Sequence, residues 1–497
     1  MTKKLQNPND PSSHEFKWDT PKKGKLRIMP ISDSPWAPTG FGTNTKNVSA
    51  IFTREGHHVG YGGCQNPQHT PYEIPYEGET YTIENLPITA PGQEKFGEKS
   101  FPIWCQNFRP DIIWTHLDFQ MFGHVAAHKQ PANANVPLWN PETGKRTTNK
   151  EQNEMFKKIY KDIKLKTKWK WAATIPFDGT PCIPSWQNSL NHIDYKICMS
   201  RYGQLCMEQQ FTGCEESWYI PHGVDAQDVF KPILNPMYGD KPLKELAGNA
   251  FVVGCVARNQ HRKNIPILLK GFKEFVDRNN LKPKDVRLIL HMDWKDAMGW
   301  PLPDYAKHYG IEEYLLPPMM GVLDLGQALD EEGLANLYNC MDLFVLPTAG
   351  EGFGIPTVEA MSCGVPVAVT NYTTAWEIIR EEDPETADIP LYPLGGEPGT
   401  SEMENGRNKL IEEDICKAGI LLPYKDMWWD TPNRAAPQRA ICSAVAIADA
   451  CDYIYHNPKK ALTMGKEARK KVLKEYDWKQ VDKRWIAMAK VWEERCT

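Results

Sequence analysis

Apolar residues fall into short runs along this chain, alternating with stretches of helical spacing. The run Lys25 to Ile31 (KLRIMPI) predicts a first strand. A loop with Pro35, Pro38, Gly40 and Gly42 follows, then a helix from Thr43 to Glu55 that stops at Gly56. Asp111–Thr115, Trp171–Ile175 and Tyr195–Met199 read as further buried strands, and Met155, Phe156, Ile159, Tyr160 and Ile163 share one helical face. The second half repeats the grammar. Strands at Phe251–Val256, Val286–His291, Asp342–Leu346 and Val365–Val369 alternate with helical stretches at Ile265–Val276, Leu334–Tyr338 and Ile355–Ser362. Alternation of this kind implies parallel sheets covered on both faces. The expected architecture is α/β, with two doubly wound Rossmann-like domains facing each other across a cleft. Residues 1–24 read as a flexible polar leader, 25–235 as the first domain and 248–475 as the second, with a Pro/Gly-rich hinge at 231–248. The stretch 381–436, rich in Pro, Gly and acidic residues, reads as an irregular excursion of the second domain.

Composition narrows the class. The chain has 497 residues with a net charge of -5, which disfavours a globally basic nucleic-acid binder. Its 13 cysteines form no CxxC or CxC pair, so neither a zinc ribbon nor a redox motif is expected. The polar start lacks an apolar signal core, and no run approaches the ~20 apolar residues of a membrane span. A reduced, cytoplasmic protein is the expectation.

The segment Gly350 to Ala360 (GEGFGIPTVEA) carries the strongest chemistry. It follows a predicted strand and opens a predicted helix. Gly352 and Gly354 permit close backbone approach, and the helix start at Phe353–Ile355 offers amides to an anion. Glu351 and Glu359 stand on either side. A carboxylate on each side of a phosphate-binding helix start suits a nucleotide sugar, one for sugar hydroxyls and one for ribose hydroxyls. Strand carboxyl ends also place His116, Asp118 and Asp178 where an active site belongs. The loop Thr39–Thr43, with Gly40 and Gly42, joins a strand to a helix, but it is neither a dinucleotide fingerprint nor a Walker loop. Lysines crowd the stretch Lys157–Lys170 beside Trp169 and Trp171. They read as a solvated helix face, or as a grip on an anionic surface of lipid, nucleic acid or acidic glycan.

The glutamate segment resembles the E-x7-E signature of retaining glycosyltransferases, particularly glycosyltransferase family 4. Other segments resemble the same family in the same order: GCVARNQHRKNIPILLKG at 254–271, YIPHGVDAQDVFKP at 219–232, the strand at Asp342–Pro347, and NYTTAWE at 371–377, which lacks the family's paired glycines. The resemblance is dense over 170–380 and near the C-terminus. It implies the GT-B fold, with acceptor on the first domain, nucleotide-sugar donor on the second, and a C-terminal helix at 476–497 packing back on the first domain. It implies transfer with retention, by same-face attack in which the leaving phosphate takes the acceptor proton. Glu351, His116 and Asp178 are then the catalytic candidates. Arg258 and Lys263 become the basic pair for the diphosphate, with Arg262 a competitor, joined by Gly352, Phe353, Gly354, Ile355, Glu359, Gly40 and Gly42 on the donor. A diphosphate calls for such cations, Arg binding in a bidentate way and Lys as a point charge. No DxD triplet is present, so neither a metal nor any cofactor beyond the nucleotide-sugar co-substrate is implied. The acceptor stays open between glycan, lipid, protein and modified DNA base. A non-catalytic nucleotide-sugar-binding scaffold and a sugar-nucleotide epimerase are the alternative readings.

Overall fold

The computed structural model describes residues 24–63, 70–88, 94, 96–129, 169–182, 184–297, 299–316, 329–380, 409–430 and 437–496. The first 23 residues and residues 157–168 of the lysine-rich stretch lie outside them. Eight strands form the first sheet: β1 (Arg27–Ser32), β2 (His58–Gly63), β3 (Tyr72–Tyr76), β4 (Glu79–Leu86), β5 (Ile112–His116), β6 (Lys170–Ile175), β7 (Tyr195–Cys198) and β8 (Trp218–Tyr219). Their order is β3-β4-β2-β1-β5-β6-β7-β8, parallel except for the antiparallel β3–β4 pair. A short ribbon of β9 (Met237–Tyr238) and β10 (Lys241–Pro242) follows. The second sheet runs β12-β11-β13-β14-β16-β15, from β11 (Phe251–Val256), β12 (Val286–His291), β13 (Leu343–Leu346), β14 (Val367–Thr370), β15 (Ile415–Cys416) and β16 (Gly419–Leu422). A hairpin of β17 (Tyr424–Trp429) and β18 (Gln438–Cys442) stands apart.

The predicted irregularity of 381–436 fails for its described part. The apolar run Gly419–Leu422 is fully buried and adds a parallel strand to β14, and the next residues form the first arm of the hairpin. Four adjacent buried residues outweigh the surrounding Pro, Gly and charge, which mark only the flanks.

In the first sheet, alternate residues serve opposite faces. Met29, Ile31, Ile113, Trp171 and Ala173 enter one core, while Ile28, Ile112, Trp114 and Ala172 enter the other. Both faces are buried, so the strands read as apolar runs rather than as half-polar ones. Helix α1 (Gly40–Arg54) begins three residues before the spacing predicts, because the Thr39 hydroxyl caps it by accepting from the Gly42 amide at 3.0 Å. The remaining helices used below are α2 (Arg201–Gln210), α3 (Ile265–Arg278), α4 (Glu331–Asn339), α5 (Ile355–Ser362), α6 (Ala375–Ile379), α7 (Ala444–His456), α8 (Pro458–Glu475) and α9 (Trp478–Cys496).

Helix α9 lies on the first domain although it ends the second half of the chain. Trp478, Val481, Trp485, Met488, Ala489 and Trp492 recur at helical spacing and join the core formed with Phe52 and Trp114. The Trp485 ring centre is 5.0 Å from Trp114 and 5.8 Å from Phe52. Two chain crossings link the domains, and they bond to each other: Val224 N–H to the Tyr476 carbonyl at 2.9 Å, and Trp478 N–H to the Val224 carbonyl at 3.1 Å.

Strand order in each sheet reverses beside its first strand. β1 is flanked by β2 and β5, and β11 by β12 and β13. Crevices at such switch points, beyond the strand carboxyl ends, hold ligands in open α/β sheets. The two crevices face each other and are closed on one another. Lys46 of α1 pairs with Glu331 of α4 at 2.8 Å, and the Gln438 amide donates to the Thr180 carbonyl at 2.9 Å.

Candidate active site

The loop between β13 and α5 holds the densest set of charges. Glu351 is buried. One of its oxygens meets Lys263 Nζ in a short contact, and the other meets Arg262 Nη1 at 3.1 Å. Arg262 Nη1 also donates to the Gly350 carbonyl at 2.7 Å. Burial alone would raise the Glu351 carboxyl, but Arg262 and Lys263 outweigh it and hold the group down at about 2. Burial, and then Arg262, push the Lys263 ammonium below its ordinary range. At neutral pH Glu351 is an ionised hydrogen-bond acceptor, and its two cations leave a surplus of positive charge beside it.

Helix α5 starts against this trio. Its capping residue, Gly354, has a left-handed backbone with φ 97, and no side chain caps the end. Pro356 has no N–H, and the Thr357 amide turns back to the Gly354 carbonyl at 3.0 Å, so Gly354 and Ile355 are the amides this end presents to an anion. One to two turns on, half-buried Glu359 accepts from the Tyr338 hydroxyl at 2.7 Å. Burial pushes its carboxyl up to about 7, with Glu331 adding to the rise and Tyr338 opposing it.

The turn lacking the paired glycines, Asn371–Glu377, keeps a left-handed residue all the same. Thr373 takes φ 53, which a β-branched residue rarely adopts. Its hydroxyl accepts from the Glu351 amide at 3.0 Å, so a strained backbone supports the glutamate loop. Glu377 is buried, accepts from the Tyr202 amide at the start of α2 at 2.9 Å, and ties the two domains together.

Arg258 stands apart from this cluster. Its side chain is 66 % exposed and pairs with Asp296 at 3.3 Å. The expectation that Arg258 and Lys263 face Glu351 together is therefore corrected: Arg262 stands beside Lys263. Both belong to the short turn His261–Lys263, which carries them inward, whereas Arg258 lies two residues past the end of β11 and turns to solvent. Gly352 packs on Pro176, 2.9 Å from where a Cβ would stand, and the Phe353 ring contacts His222 and Tyr476 at 5.3 and 5.5 Å. A Cβ on Gly40 would stand 2.6 Å from the Ile355 side chain, so the starts of α1 and α5 touch across the cleft. Gly42 instead backs onto the carbonyls of Ala37 and Ser34 within its own turn.

On the first domain, His116 ends β5 fully buried. Its Nε2 is 3.2 Å from the Asn44 amide nitrogen, and its ring packs on Phe41 and His222 at 5.1 and 5.2 Å. Burial and His222 hold it well below the usual histidine range, so it is neutral. Asp118, two residues on, is open to solvent at the cleft yet walled by protein on its other sides. That surrounding, and then Asp178, raise its carboxyl to about 6 against the pull of Arg262 and Arg439. Asp178 follows β6 and lies 3.1 Å from Arg439 Nη1. Lys170, the described end of the lysine-rich stretch, opens β6 and lies 3.4 Å from Asp194. Sequence reasoning missed Arg439, whose hairpin matches none of the motifs read along the chain.

Residues 250–390 match the family described as glycosyl transferases group 1. Among curated proteins, the chain is similar to the O-antigen chain mannosyltransferase B of Escherichia coli, 34% identical over 151 residues, covering 28% of this chain and 34% of that protein. It is also similar to an Escherichia coli UDP-Gal:alpha-D-GlcNAc-diphosphoundecaprenol alpha-1,3-galactosyltransferase, 28% identical over 168 residues, or 34% of this chain and 40% of that one. The matched part thus spans little more than a third of these relatives. Among solved structures, sucrose-phosphate synthase from Thermosynechococcus elongatus superposes with a TM-score of 0.61 at 15% identity, covering 95% of this chain and 99% of that one. Anabaena HepE in complex with UDP and glucose does so with a TM-score of 0.58 at 14% identity, covering 94% and 100%. The fold is of the GT-B glycosyltransferase type.

Proposed function

We propose that this protein is a glycosyltransferase that moves a sugar from a nucleotide diphosphate sugar to an acceptor hydroxyl with retention of configuration. The observation that carries the reading is the Glu351–Arg262–Lys263 trio at the uncapped start of α5. The match of residues 250–390 to glycosyl transferases group 1 supports it, as does likeness to relatives named for mannosyl and galactosyl transfer. The donor diphosphate would lie on the Gly354 and Ile355 amides, with Lys263 and Arg262 as counter-charges. Glu351 would accept hydrogen bonds from the sugar and Glu359 from the ribose. The acceptor would attack the anomeric carbon from the face the phosphate leaves. The carbon–phosphate oxygen bond breaks as the carbon–acceptor oxygen bond forms, and the acceptor proton passes to the departing phosphate. The protein then contributes position and charge stabilisation, for which these cations suffice without a resident metal. His116, neutral and packed, would shape the floor beneath the sugar, and Asp118 and Asp178 would meet the acceptor.

A thermal-shift screen with UDP, GDP, ADP and their sugar conjugates tests this. One nucleotide family should raise the melting temperature by mass action. Glu351→Ala and Lys263→Ala should each lower turnover by about 10³-fold or more while the fold is retained by circular dichroism. Near-wild-type turnover in both variants would sink the site assignment.

A further inference from the structure

Arg439 is a buried cation that no motif along the chain announces. Its place follows from the register of the β17–β18 hairpin. Trp429 pairs with Gln438 and Trp428 with Arg439, so Arg439 and Asp430, diagonal to it, share one face. The Asp430 amide closes the hairpin on the Pro437 carbonyl at 3.0 Å, and the Asp430 carboxylate accepts from Arg439 Nε at 3.0 Å. The guanidinium is thereby held from behind. Its Nη1 crosses to the first domain, where it makes a short contact with the Asp178 carbonyl and lies 3.1 Å from the Asp178 carboxylate. Gly350 completes the junction. With φ 150, it sits where a Cβ would fall 2.0 Å from the Asp178 carbonyl and 3.1 Å from Arg439 Nη1. A side chain there would wedge the cleft open. The Ala440 amide donates to the Ala349 carbonyl at 3.2 Å, so the hairpin is bonded to the strand–loop segment that carries Glu351.

We infer that Arg439 is a positioning residue for transfer: in the closed cleft it fixes the Asp178 carboxylate against the Gly350–Glu351 loop, so that the acceptor side and the donor side come into register together. The inference rests on the glycosyltransferase reading. It adds a residue outside the segment matched by the family. Arginine suits this place because one planar group meets Asp430 through Nε and both the main chain and the carboxylate of Asp178 through Nη1, whereas a lysine ammonium is a point charge on a flexible stem.

The test uses the full-length protein and follows nucleoside diphosphate release from UDP-glucose and from GDP-mannose, with water as the acceptor. Arg439→Ala should lower kcat about 100-fold with donor KM within about threefold, and Arg439→Lys should recover only part of that. Asp178→Asn should cause a similar loss, and the double variant Arg439→Ala/Asp178→Asn should lose no more than either alone, since coupled groups are not additive. A pH profile separates positioning from mere folding support. The ionisable groups facing the pair are Asp118, Arg262, Asp430, the Cys182 thiol and the Tyr372 hydroxyl. The Arg439 cation is one of the charges that hold the Asp118 carboxyl down, so its loss should move the acid limb to higher pH in Arg439→Ala. A rate within threefold of wild type in Arg439→Ala, or a fully additive double variant, overturns the assignment. So does a loss of rate that tracks the melting temperature while the acid limb stays in place. Should Arg439→Ala fail to fold, Arg439→Lys and Asp178→Asn carry the same comparison. Wild-type protein that binds none of UDP, GDP, ADP and their sugar conjugates by thermal shift overturns the glycosyltransferase reading and this role together. Binding and release in the wild type with an unaffected Arg439→Ala overturns this role alone.

Discussion

The two walls of the cleft are built in different ways. On the proposed donor side, Glu351, the α5 start and Glu359 come from one unbroken strand–loop–helix segment, and Arg262 and Lys263 from the strand–turn–helix whose strand pairs with it. On the proposed acceptor side, His116, Asp118 and Asp178 come from the ends of two paired strands, β5 and β6. Their electrostatic partner Arg439 arrives from a hairpin of the other domain. The proposed donor wall pairs its charges within one domain, because Glu351 and its two cations are packed together. The acceptor wall reaches balance only when the domains close, because Asp178 meets Arg439 across the boundary. A wall whose charges pair within one domain can bind before closure. A wall that draws its counter-charge from the other domain takes shape through closure, and under the proposed function that would couple binding to chemistry.

The difference can be tested to breaking point. The largest expected effect is at Trp485. Trp485→Ala removes a fully buried ring between Phe52 and Trp114 and should cost about 3–5 kcal/mol by chemical denaturation. That loss should fall on the first domain although the residue belongs to the last helix. If donor binding fails as severely as the first domain's stability, the independence of the donor wall is broken.

Next is Glu377, which joins the walls. Burial, set against the Tyr202 amide and Lys471, raises its carboxyl to about 8. The folded protein therefore holds a proton there that the unfolded chain releases near pH 4.5. This acid detracts from stability as pH rises from about 4.5 to 8, by at most about 1.4 kcal/mol per pH unit. Glu377→Gln should thus gain on the wild type in melting temperature as pH is raised from 5 to 8, with the two nearly equal at pH 5. A constant difference across that range would refute the assignment.

The smallest effect is expected at His116. As a neutral ring packed among Phe41, Trp114 and His222, it touches the site through shape rather than proton transfer. His116→Gln should lower turnover no more than about fivefold and leave the pH profile in place. A loss of about 100-fold or more would put His116 into the chemistry and narrow the contrast between the walls.

Legibility in the sequence follows the same division. The central strands of both sheets were readable because buried parallel strands are compact apolar runs, and the glutamate loop because its carboxylates, glycines and helix start are neighbours in the chain; β2, β3 and β4 were not read, because glycines interrupt β2 and polar residues break up β3 and β4. Helix α1 was placed late since Thr39 caps it, a side-chain bond that hydrophobic spacing does not register. Arg262 and Arg258 could not be told apart from sequence, because the short turn at His261–Lys263 decides which cation turns inward. Thr373 could not be foreseen in a left-handed backbone, since its residue type disfavours it. Arg439 was invisible for a plainer reason: its partners Asp178 and Gly350 lie in remote parts of the chain, and one of them in the other domain.

The last helix has a consequence for how the protein is made. Ribosomes deliver the chain from its N-terminus, and domains usually mature in that order. Here the first domain to emerge lacks Trp478, Trp485 and Trp492 until the second domain has been translated. Its early form leaves the apolar surface around Phe52 and Trp114 uncovered while the second domain is still being translated. The half that is written first is finished after the half that follows it, and a chain arrested before α9 would carry the glutamate loop attached to an incomplete first domain.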